Sequence, residues 1–329
     1  MTRRDTPPGG DARRDTPPGG DARRDTPPGG DVRRDDVARP SGVGAMRGDA
    51  ARLSQAFLSR SERFRSVPST NDIVRSWMTE GTAEVCLAIA DEQTAGRGRS
   101  GRSWVAPDGA ALLLSLGFRP TYTPPDRLWR LPAIVALAMT DAAEEVAGLP
   151  AGLLKLKWPN DIVVDAPDAP AGVHKIAGLL GETEGAGTPQ VTAVIGIGIN
   201  AYWPRERFPA DLADAMTSLS EVSRGRPIDS AELLDAFLQR LEPRLLGLRD
   251  GHFDVAGWHD RQITTGRAVR IDMPDGTALA VKVVGIDGAS GALIYEDAAG
   301  AEHELLVGEV VQVRIVPRGG DSGQPGVTL

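Results

Sequence analysis

The chain opens with a decapeptide repeat that contains almost no apolar side chains. The unit Arg-Arg-Asp-Thr-Pro-Pro-Gly-Gly-Asp-Ala covers Arg3–Ala12 and Arg13–Ala22, and a third copy, Arg23–Val32, ends in valine. Such a segment cannot bury enough surface to offset the entropy lost on ordering. We therefore expect residues 1–50 to be a disordered extension, with the fold confined to the rest of the chain. Met46 is a second possible start of translation.

Residues 51–259 alternate between helical and extended patterns. Helices are predicted over Asn71–Glu80, over Asp126–Ala147 with a disturbance at Pro132, and over Ser230–Leu248 with an interruption at Pro243. Strands are predicted over Val85–Ala90, Ala111–Phe118, Leu153–Lys157, Ile162–Val164, Ile176–Glu182 and Val191–Ile199. This mixture predicts an α+β domain built on a mixed sheet.

The C-terminal part has a different pattern. Short alternating segments, among them Ala268–Asp272, Ala278–Ile286 and Val310–Val316, are separated by glycine turns. Several short strands without a helix between them predict a small β-barrel of the SH3-like kind. We place it over residues 260–318, followed by a flexible tail over residues 319–329.

Composition excludes several classes of protein. The net charge of −8 argues against a general nucleic-acid binder, which needs surplus lysine and arginine. The one cysteine, Cys86, lies in an apolar run, so we expect a buried packing residue and a reducing, cytoplasmic setting. No apolar run approaches the length of a membrane span, and no secretory signal is present. The four histidines lack metal-ligand spacing.

A run of alternating glycine and arginine, Gly96–Arg102, follows the first predicted strand. Glycine lets backbone N–H groups approach an anion, and arginine supplies forked donors for phosphate or carboxylate. The run therefore indicates an anion site, although an exposed basic loop or a nucleic-acid contact has the same composition. It is not a phosphate-binding loop of the Walker A type, because that spacing is absent.

Four further motifs are ambiguous when taken singly. Lys157–Asp161 (Lys-Trp-Pro-Asn-Asp) could orient a nucleotide and Mg²⁺, or simply form a turn at the end of a strand. Lys175 could point into a cleft or into solvent. The glycines of Ile195–Asn200 indicate close approach of a ligand or of another backbone. Ser69–Asn71 could cap a helix, bind a ligand, or do both.

Taken together and in this order, the motifs resemble those of the biotin protein ligases, also called holocarboxylase synthetases. The shared series is Ser-Thr-Asn, Gln-Thr-Ala-Gly-Arg-Gly-Arg-x-Gly-Arg, Lys-Trp-Pro-Asn-Asp, Lys-x-Ala-Gly and Gly-x-Gly-x-Asn. The resemblance spans Ser66 to Val316. It implies a catalytic domain of the biotin/lipoate ligase type in front of the β-barrel.

The resemblance also implies roles for individual residues. Biotin would be bound by Ser69, Thr70, Asn71, Gln93, Gly96, Arg97, Gly98, Arg99, Lys175 and Gly178. ATP would be bound by Arg99, Arg102, Trp104, Lys157, Asn160 and Asn200. Asp161 would hold Mg²⁺, and Lys175 and Arg97 would be catalytic.

The implied reaction has two steps, with ATP and biotin as substrates. Biotin and ATP form biotinyl-AMP and diphosphate, and biotin is then transferred to a lysine of a biotin carboxyl carrier domain. That domain would belong to a biotin-dependent carboxylase. No covalent enzyme intermediate is needed, and no nucleic-acid or membrane partner is expected. A monomer and a weak homodimer both remain open.

Two departures from the family pattern bear on this interpretation. Residues 165–173 form an insertion before Lys175, and the N-terminal repeat is too poor in apolar residues to be a DNA-binding domain. A monofunctional ligase is therefore expected. The alternatives are a lipoate ligase, whose Arg-Arg-x-Ser-Gly-Gly-Gly motif is missing, and a biotin-responsive regulator, which would need a DNA-binding element.

Overall fold

A computed structural model describes residues 57–316. The predicted N-terminal extension, its alternative start at Met46 and the predicted tail over residues 319–329 lie outside the described residues. No helix within the described range is both long and apolar enough to cross a membrane.

A seven-stranded mixed sheet forms the larger part of the fold. Its strands are β1 (Arg60–Val67), β2 (Cys86–Gln93), β3 (Ala111–Phe118), β4 (Leu154–Lys157), β5 (Asp161–Asp165), β6 (Val173–Glu184) and β7 (Thr192–Asn200). Their order is β1-β2-β3-β7-β6-β5-β4. Only β1 and β2 pair in parallel, and the remaining neighbours are antiparallel. The predicted mixed sheet is confirmed.

Helices cover both faces of this sheet. The helices are α1 (Thr70–Thr79), α2 (Arg130–Ala147), α3 (Leu219–Val222), α4 (Ser230–Arg249) and α5 (Val255–Asp260). Helix α1 packs against β2, β3 and β7, whereas α2 and α4 pack against each other on the opposite face. Strand β3 is buried along its whole length because it is covered on both sides.

A second sheet of five antiparallel strands follows. It consists of β8 (Ala268–Asp272), β9 (Ala278–Ile286), β10 (Leu293–Glu296), β11 (Glu302–Leu305) and β12 (Gln312–Ile315), in the order β11-β10-β9-β8-β12. Within the described residues the ladder runs open from β11 to β12, so this is a small SH3-like sheet domain rather than a closed barrel. Its apolar residues join one continuous core with the first sheet. The predicted domain boundary at 259/260 stays a prediction.

Two predictions about prolines were wrong. Helix α4 continues through Pro243, because its buried leucines keep it packed against α2 on both sides of that residue. Helix α2 begins at Arg130, after a 3₁₀ turn over Pro125–Arg127. Pro132 therefore lies in the first turn, where backbone N–H groups have no helical acceptor and proline is tolerated.

A buried ion pair joins α2 to the segment that precedes the second sheet. The Glu144 carboxylate accepts bonds from Arg261 at 2.6 and 2.8 Å and from the backbone N–H groups of Leu154 and Gly152. Burial opposes ionisation of Glu144. The hydrogen bonds more than offset this, so the pKa of Glu144 lies below its usual value.

We expect Glu144→Gln to lower the free energy of unfolding by about 3 kcal/mol, because it leaves a buried guanidinium without its main partner. Glu145→Gln is the matched control, since the neighbouring Glu145–Arg240 pair is exposed. It should cost less than about 1 kcal/mol. Urea unfolding followed by circular dichroism measures both variants at neutral pH.

The same pair predicts a pH dependence. Because the folded-state pKa of Glu144 is depressed, its contribution is fully present above the unfolded pKa and is lost as pH falls through the folded pKa. The stability difference between wild type and Glu144→Gln should therefore shrink on acidification. A difference that stays constant down to the lowest pH at which the protein folds would contradict this.

Candidate active site

A cavity of about 260 Å³ lies on the α1 face of the first sheet. Strands β6 and β7 form its floor, the first turn of α1 forms one end, and residues 97–105 form a wall. It brings together all but two of the sequence-predicted site residues: Ser69, Thr70, Asn71, Gln93, Arg97, Gly98, Arg99, Arg102, Trp104, Asn160, Asp161, Lys175, Gly178 and Asn200. Gly96 and Lys157 are the exceptions.

The end of the cavity beneath α1 is polar and buried. Ser69 occupies the N-cap position of α1 and lines the cavity, but its hydroxyl makes no capping hydrogen bond. The Thr70 backbone N–H donates to Gln93 Oε1 at 2.8 Å, and the Thr70 hydroxyl lies 2.7 Å from that of Ser115. Ser115 donates to Asn71 Oδ1 at 2.6 Å. Five hydrogen-bonding side chains therefore converge at this end.

Sequence reasoning missed Ser115, although a signal for it exists. It is the one polar residue in β3, whose other members are apolar, and it is fully buried. A hydroxyl in such a strand needs a partner, which α1 provides. The apolar wall formed by Trp203, Leu212, Ala215 and Met216 was also missed, because its segment shows no regular periodicity.

The glycine–arginine run forms a narrow hairpin rather than an open loop. Gly98 N–H donates to Arg102 O, and Trp104 N–H donates to Gly96 O, so Gly96 anchors the base of the hairpin without reaching the cavity. Its tip turns at Ser100 and Gly101, both with positive φ. Gly101 accommodates this backbone conformation without strain.

The hairpin is bonded to the segment that connects β11 to β12. Arg99 Nη2 donates to the carbonyl oxygens of Val307 and Val310, at 2.6 and 3.0 Å. Arg102 Nη2 contacts the carbonyl oxygen of Val311 at 3.4 Å. Burial lowers the pKa of Arg99, and these carbonyls supply hydrogen bonds that replace its water.

Lys175 and Asp161 form a close pair at the opposite end of the cavity from Ser115. Lys175 Nζ lies 2.6 Å from Asp161 Oδ1, and Lys157 Nζ lies 3.6 Å from Asp161 Oδ2. Burial opposes ionisation of Asp161, yet the two lysines hold its pKa below the usual value. Burial also lowers the pKa of Lys157, which lines a neighbouring cavity on the other face of the sheet.

The backbone positions Lys175 despite the insertion before it. Lys175 pairs with Val163 across β5 and β6, beyond the turn that residues 166–172 form. Its N–H donates to Ala215 O, and its carbonyl accepts from Thr217 N–H. Asn200 supports the same segment through a bond from Nδ2 to Thr217 O, and Asn160 Nδ2 donates to Leu179 O.

The glycines in β6 and β7 make room for side chains above the sheet. A Cβ atom at Gly198 would lie 2.5 Å from the Trp104 ring, and one at Gly196 would lie 2.2 Å from Asn71 Oδ1. Lys175 Nζ sits 5.4 Å from the Trp104 ring centre. The groups that closely approach the Gly-x-Gly strand are therefore the side chains of Asn71 and Trp104, where the sequence predicted a ligand or another backbone.

Charge decides between the alternatives for the glycine–arginine run. Four cationic side chains line the cavity, namely Arg97, Arg99, Arg102 and Lys175, against the single carboxylate of Asp161. They line a cavity beside a polar pocket rather than an open surface. This arrangement favours a site for small anionic ligands over a nucleic-acid contact.

Comparison with known proteins agrees with this geometry. The model of the biotin/lipoate A/B protein ligase family matches residues 63–200. A biotin–[acetyl-CoA-carboxylase] ligase of Mycobacterium tuberculosis is 30% identical over 250 residues, which is 75% of this chain and 86% of that protein. The chain belongs to this family.

Two further relatives extend the comparison. The bifunctional ligase/repressor BirA of Bacillus spizizenii is 31% identical over 236 residues, covering 71% of this chain and 68% of that protein. Among solved structures, the biotin protein ligase from Aquifex aeolicus in complex with biotin and ATP is similar at 25% identity with a TM-score of 0.63. That match covers 78% of this chain and the whole of the other.

Replacing Gly196 by alanine should lower the free energy of unfolding by about 1–3 kcal/mol, because the new methyl group displaces Asn71. Gly181→Ala on neighbouring β6 is the matched control, since its Cβ would meet only Ile195 Cδ1, at 3.3 Å. It should change stability by no more than about 0.5 kcal/mol. Equal losses in urea unfolding would show that Asn71 does not constrain position 196.

Proposed function

We propose that this chain is an ATP-dependent biotin protein ligase. It activates biotin to biotinyl-5′-AMP with release of diphosphate, then transfers biotin to a lysine of a biotin carboxyl carrier domain. The observation that carries the proposal is the cavity itself, which joins a buried polar pocket at one end to Lys175 and Asp161 at the other, with three hairpin arginines along its wall. The biotin ligases among its relatives support the same activity.

The polar end suits the ureido ring of biotin. Ser69, Thr70, Asn71 and Gln93 present both donors and acceptors there, as a ring with N–H and C=O groups requires. The dithiolane ring of lipoate has neither, so it would offer no partner for the hydrogen-bonding capacity that these groups keep after bonding to one another. A site built to hydrogen-bond a ligand rejects an analogue that lacks the bonding groups. We therefore assign biotin rather than lipoate.

Lys175 and the arginines of the wall suit the first half-reaction. The biotin carboxylate must attack the α-phosphorus of ATP, and the two anions repel each other. Lys175 would sit between them, with Arg97 and the other hairpin arginines (Arg99, Arg102) offsetting the charge that builds up in the transition state. The hairpin, whose backbone includes Gly96 and Gly98, would also keep water from the labile mixed anhydride.

We assign the nucleotide to the end of the cavity floor that lies away from the polar pocket. Trp104, Asn160 and Asn200 would contact ATP, and Gly178 would leave room for the ligand. Lys157 does not line the cavity and would act only through Asp161, which lies 3.6 Å from its Nζ. Asp161 is the one carboxylate lining the cavity, and Mg²⁺ is commonly held by one or two carboxylates together with substrate phosphates. It would therefore hold Mg²⁺, which would offset phosphate charge when bound.

The second half-reaction determines which kind of protein the enzyme must bind as acceptor. A neutral lysine amine of the acceptor attacks the acyl carbon of biotinyl-AMP, and AMP leaves. The chain's cysteine, Cys86, is buried away from the cavity, so a Cys86 thioester has no place in this scheme. We propose carrier domains of biotin-dependent carboxylases as acceptors and a cytoplasmic location, where ATP is supplied.

The proposal is tested by transfer of labelled biotin to a purified carrier domain with ATP and Mg²⁺, with lipoate as a parallel substrate. We expect transfer of biotin and not of lipoate. Lipoate transfer would place the chain in the other branch of the family. Tight binding of biotinyl-AMP without any transfer would instead indicate a regulator.

Lys175→Ala should slow biotinyl-AMP formation by about 100-fold or more, the loss expected when one group that stabilises transition-state charge is removed. Lys155→Ala is the control, because Lys155 is half-buried on β4, does not line the cavity, and donates from Nζ to the carbonyl oxygen of Asp260. Single-turnover formation of adenylate from labelled ATP measures both. Near-normal rates in Lys175→Ala would remove this lysine from the mechanism.

A further inference from the structure

Asp72 lies in the first turn of α1, between the polar pocket and the glycine–arginine hairpin. Its two carboxylate oxygens accept from the two terminal nitrogens of Arg97, each at 2.7 Å. This is the forked geometry in which arginine binds carboxylate most specifically. The hydrogen bond from Arg97 is the largest cause that holds the pKa of Asp72 below its usual value.

A second arginine and a second carboxylate extend this contact. Arg75 bridges Asp72 at 2.8 Å and Glu182 at 2.7 Å, and Arg97 approaches Glu182 at 3.8 Å. Asn71 Nδ2 donates to the same Glu182 at 2.7 Å. We call Asp72, Arg75, Arg97 and Glu182 the latch. It connects the hairpin to Asn71, which lines the polar pocket.

The latch holds the side of the hairpin that faces α1. On the other side, Arg99 and Arg102 bind carbonyl groups of the segment that connects β11 to β12. The remaining hydrogen bonds that shape the hairpin are internal to it. Asp72 therefore anchors one side of the wall that closes the cavity.

We propose that Asp72 is a positioning residue that holds this wall closed over biotinyl-AMP and so retains the intermediate until an acceptor lysine arrives. The inference rests on the proposed function, since it concerns the intermediate of that reaction. Asp72 does not line the cavity, so its effect is exerted through Arg97.

The exposure of the pair sets the size of the effect. The side chains of Arg97 and Asp72 are 38% and 41% exposed. Ion pairs at such positions shift an equilibrium by roughly two- to five-fold and are weakened by salt. A latch of this strength shifts the wall toward the closed position, yet lets it open for ligands to enter.

The test is retention of biotinyl-AMP formed on the full-length enzyme. Labelled adenylate is made from biotin and ATP, unlabelled biotinyl-AMP is added in excess, and loss of bound label is followed. Asp72→Asn should release label about two- to five-fold faster than wild type. Asp72→Glu, which keeps the charge, should remain closer to wild type. Added salt should speed release from wild type more than from Asp72→Asn.

The chain offers a matched control in Glu62→Gln. The Arg60–Glu62 pair is also doubly bonded and has similar exposure, 35% and 44%, but lies on edge strand β1 away from the cavity. Loss of the Arg60–Glu62 pair should leave the release rate of biotinyl-AMP unchanged. If Glu62→Gln released label as fast as Asp72→Asn, a general loss of surface charge pairs would explain the effect and the latch would be rejected.

The remaining outcomes separate the two proposals. Wild-type retention in Asp72→Asn would overturn the latch and leave the ligase intact, whereas absence of adenylate in wild type would overturn both. If wild type made adenylate and Asp72→Asn made none, the latch would be tested instead by the rate of trypsin cleavage at the hairpin arginines of the two unliganded proteins. Faster cleavage than in wild type supports the latch, and an equal rate rejects it.

Discussion

The site depends on the alternation of glycine and isoleucine along β7. Successive residues of a strand face opposite sides of the sheet. On one side of β7 the isoleucines are buried, and on the other Gly196 and Gly198 have no side chain to fill the space. The space left free is taken by Asn71 and Trp104, which approach closer than any Cβ atom would allow. One strand thus contributes to both the hydrophobic core and the floor of the cavity, so a shift of β7 that alters the core also alters the floor.

Electrostatics adds a second constraint on the same floor. Asp161 is buried between Lys175 and Lys157 and stays ionised because both lysines are close. Cationic side chains outnumber this carboxylate in the cavity lining, because the three hairpin arginines and Lys175 lie beside it where an anion is expected. The charge is present before any ligand arrives, so little reorganisation is needed when one binds.

Much of the fold was predictable because its central strands are strongly apolar and because glycines, Gly81 and Gly148, follow the ends of α1 and α2. The bounds of β3 were predicted to the residue, whereas edge strand β1 was not predicted because Arg60–Val67 is largely polar. The site was predictable where motifs are contiguous. Ser115 and Asp72 act through residues distant in sequence, and such contacts appear only once α1 is laid across the sheet.

The bonds from Arg99 and Arg102 to residues 307–311 all end on backbone carbonyl oxygens. A carbonyl is present whatever the side chain, so this segment can drift in sequence during evolution while continuing to hold the hairpin. What must be preserved is the path of the chain. Comparison of related sequences would therefore underrate the importance of the segment, and an insertion or deletion there would do more harm than most substitutions.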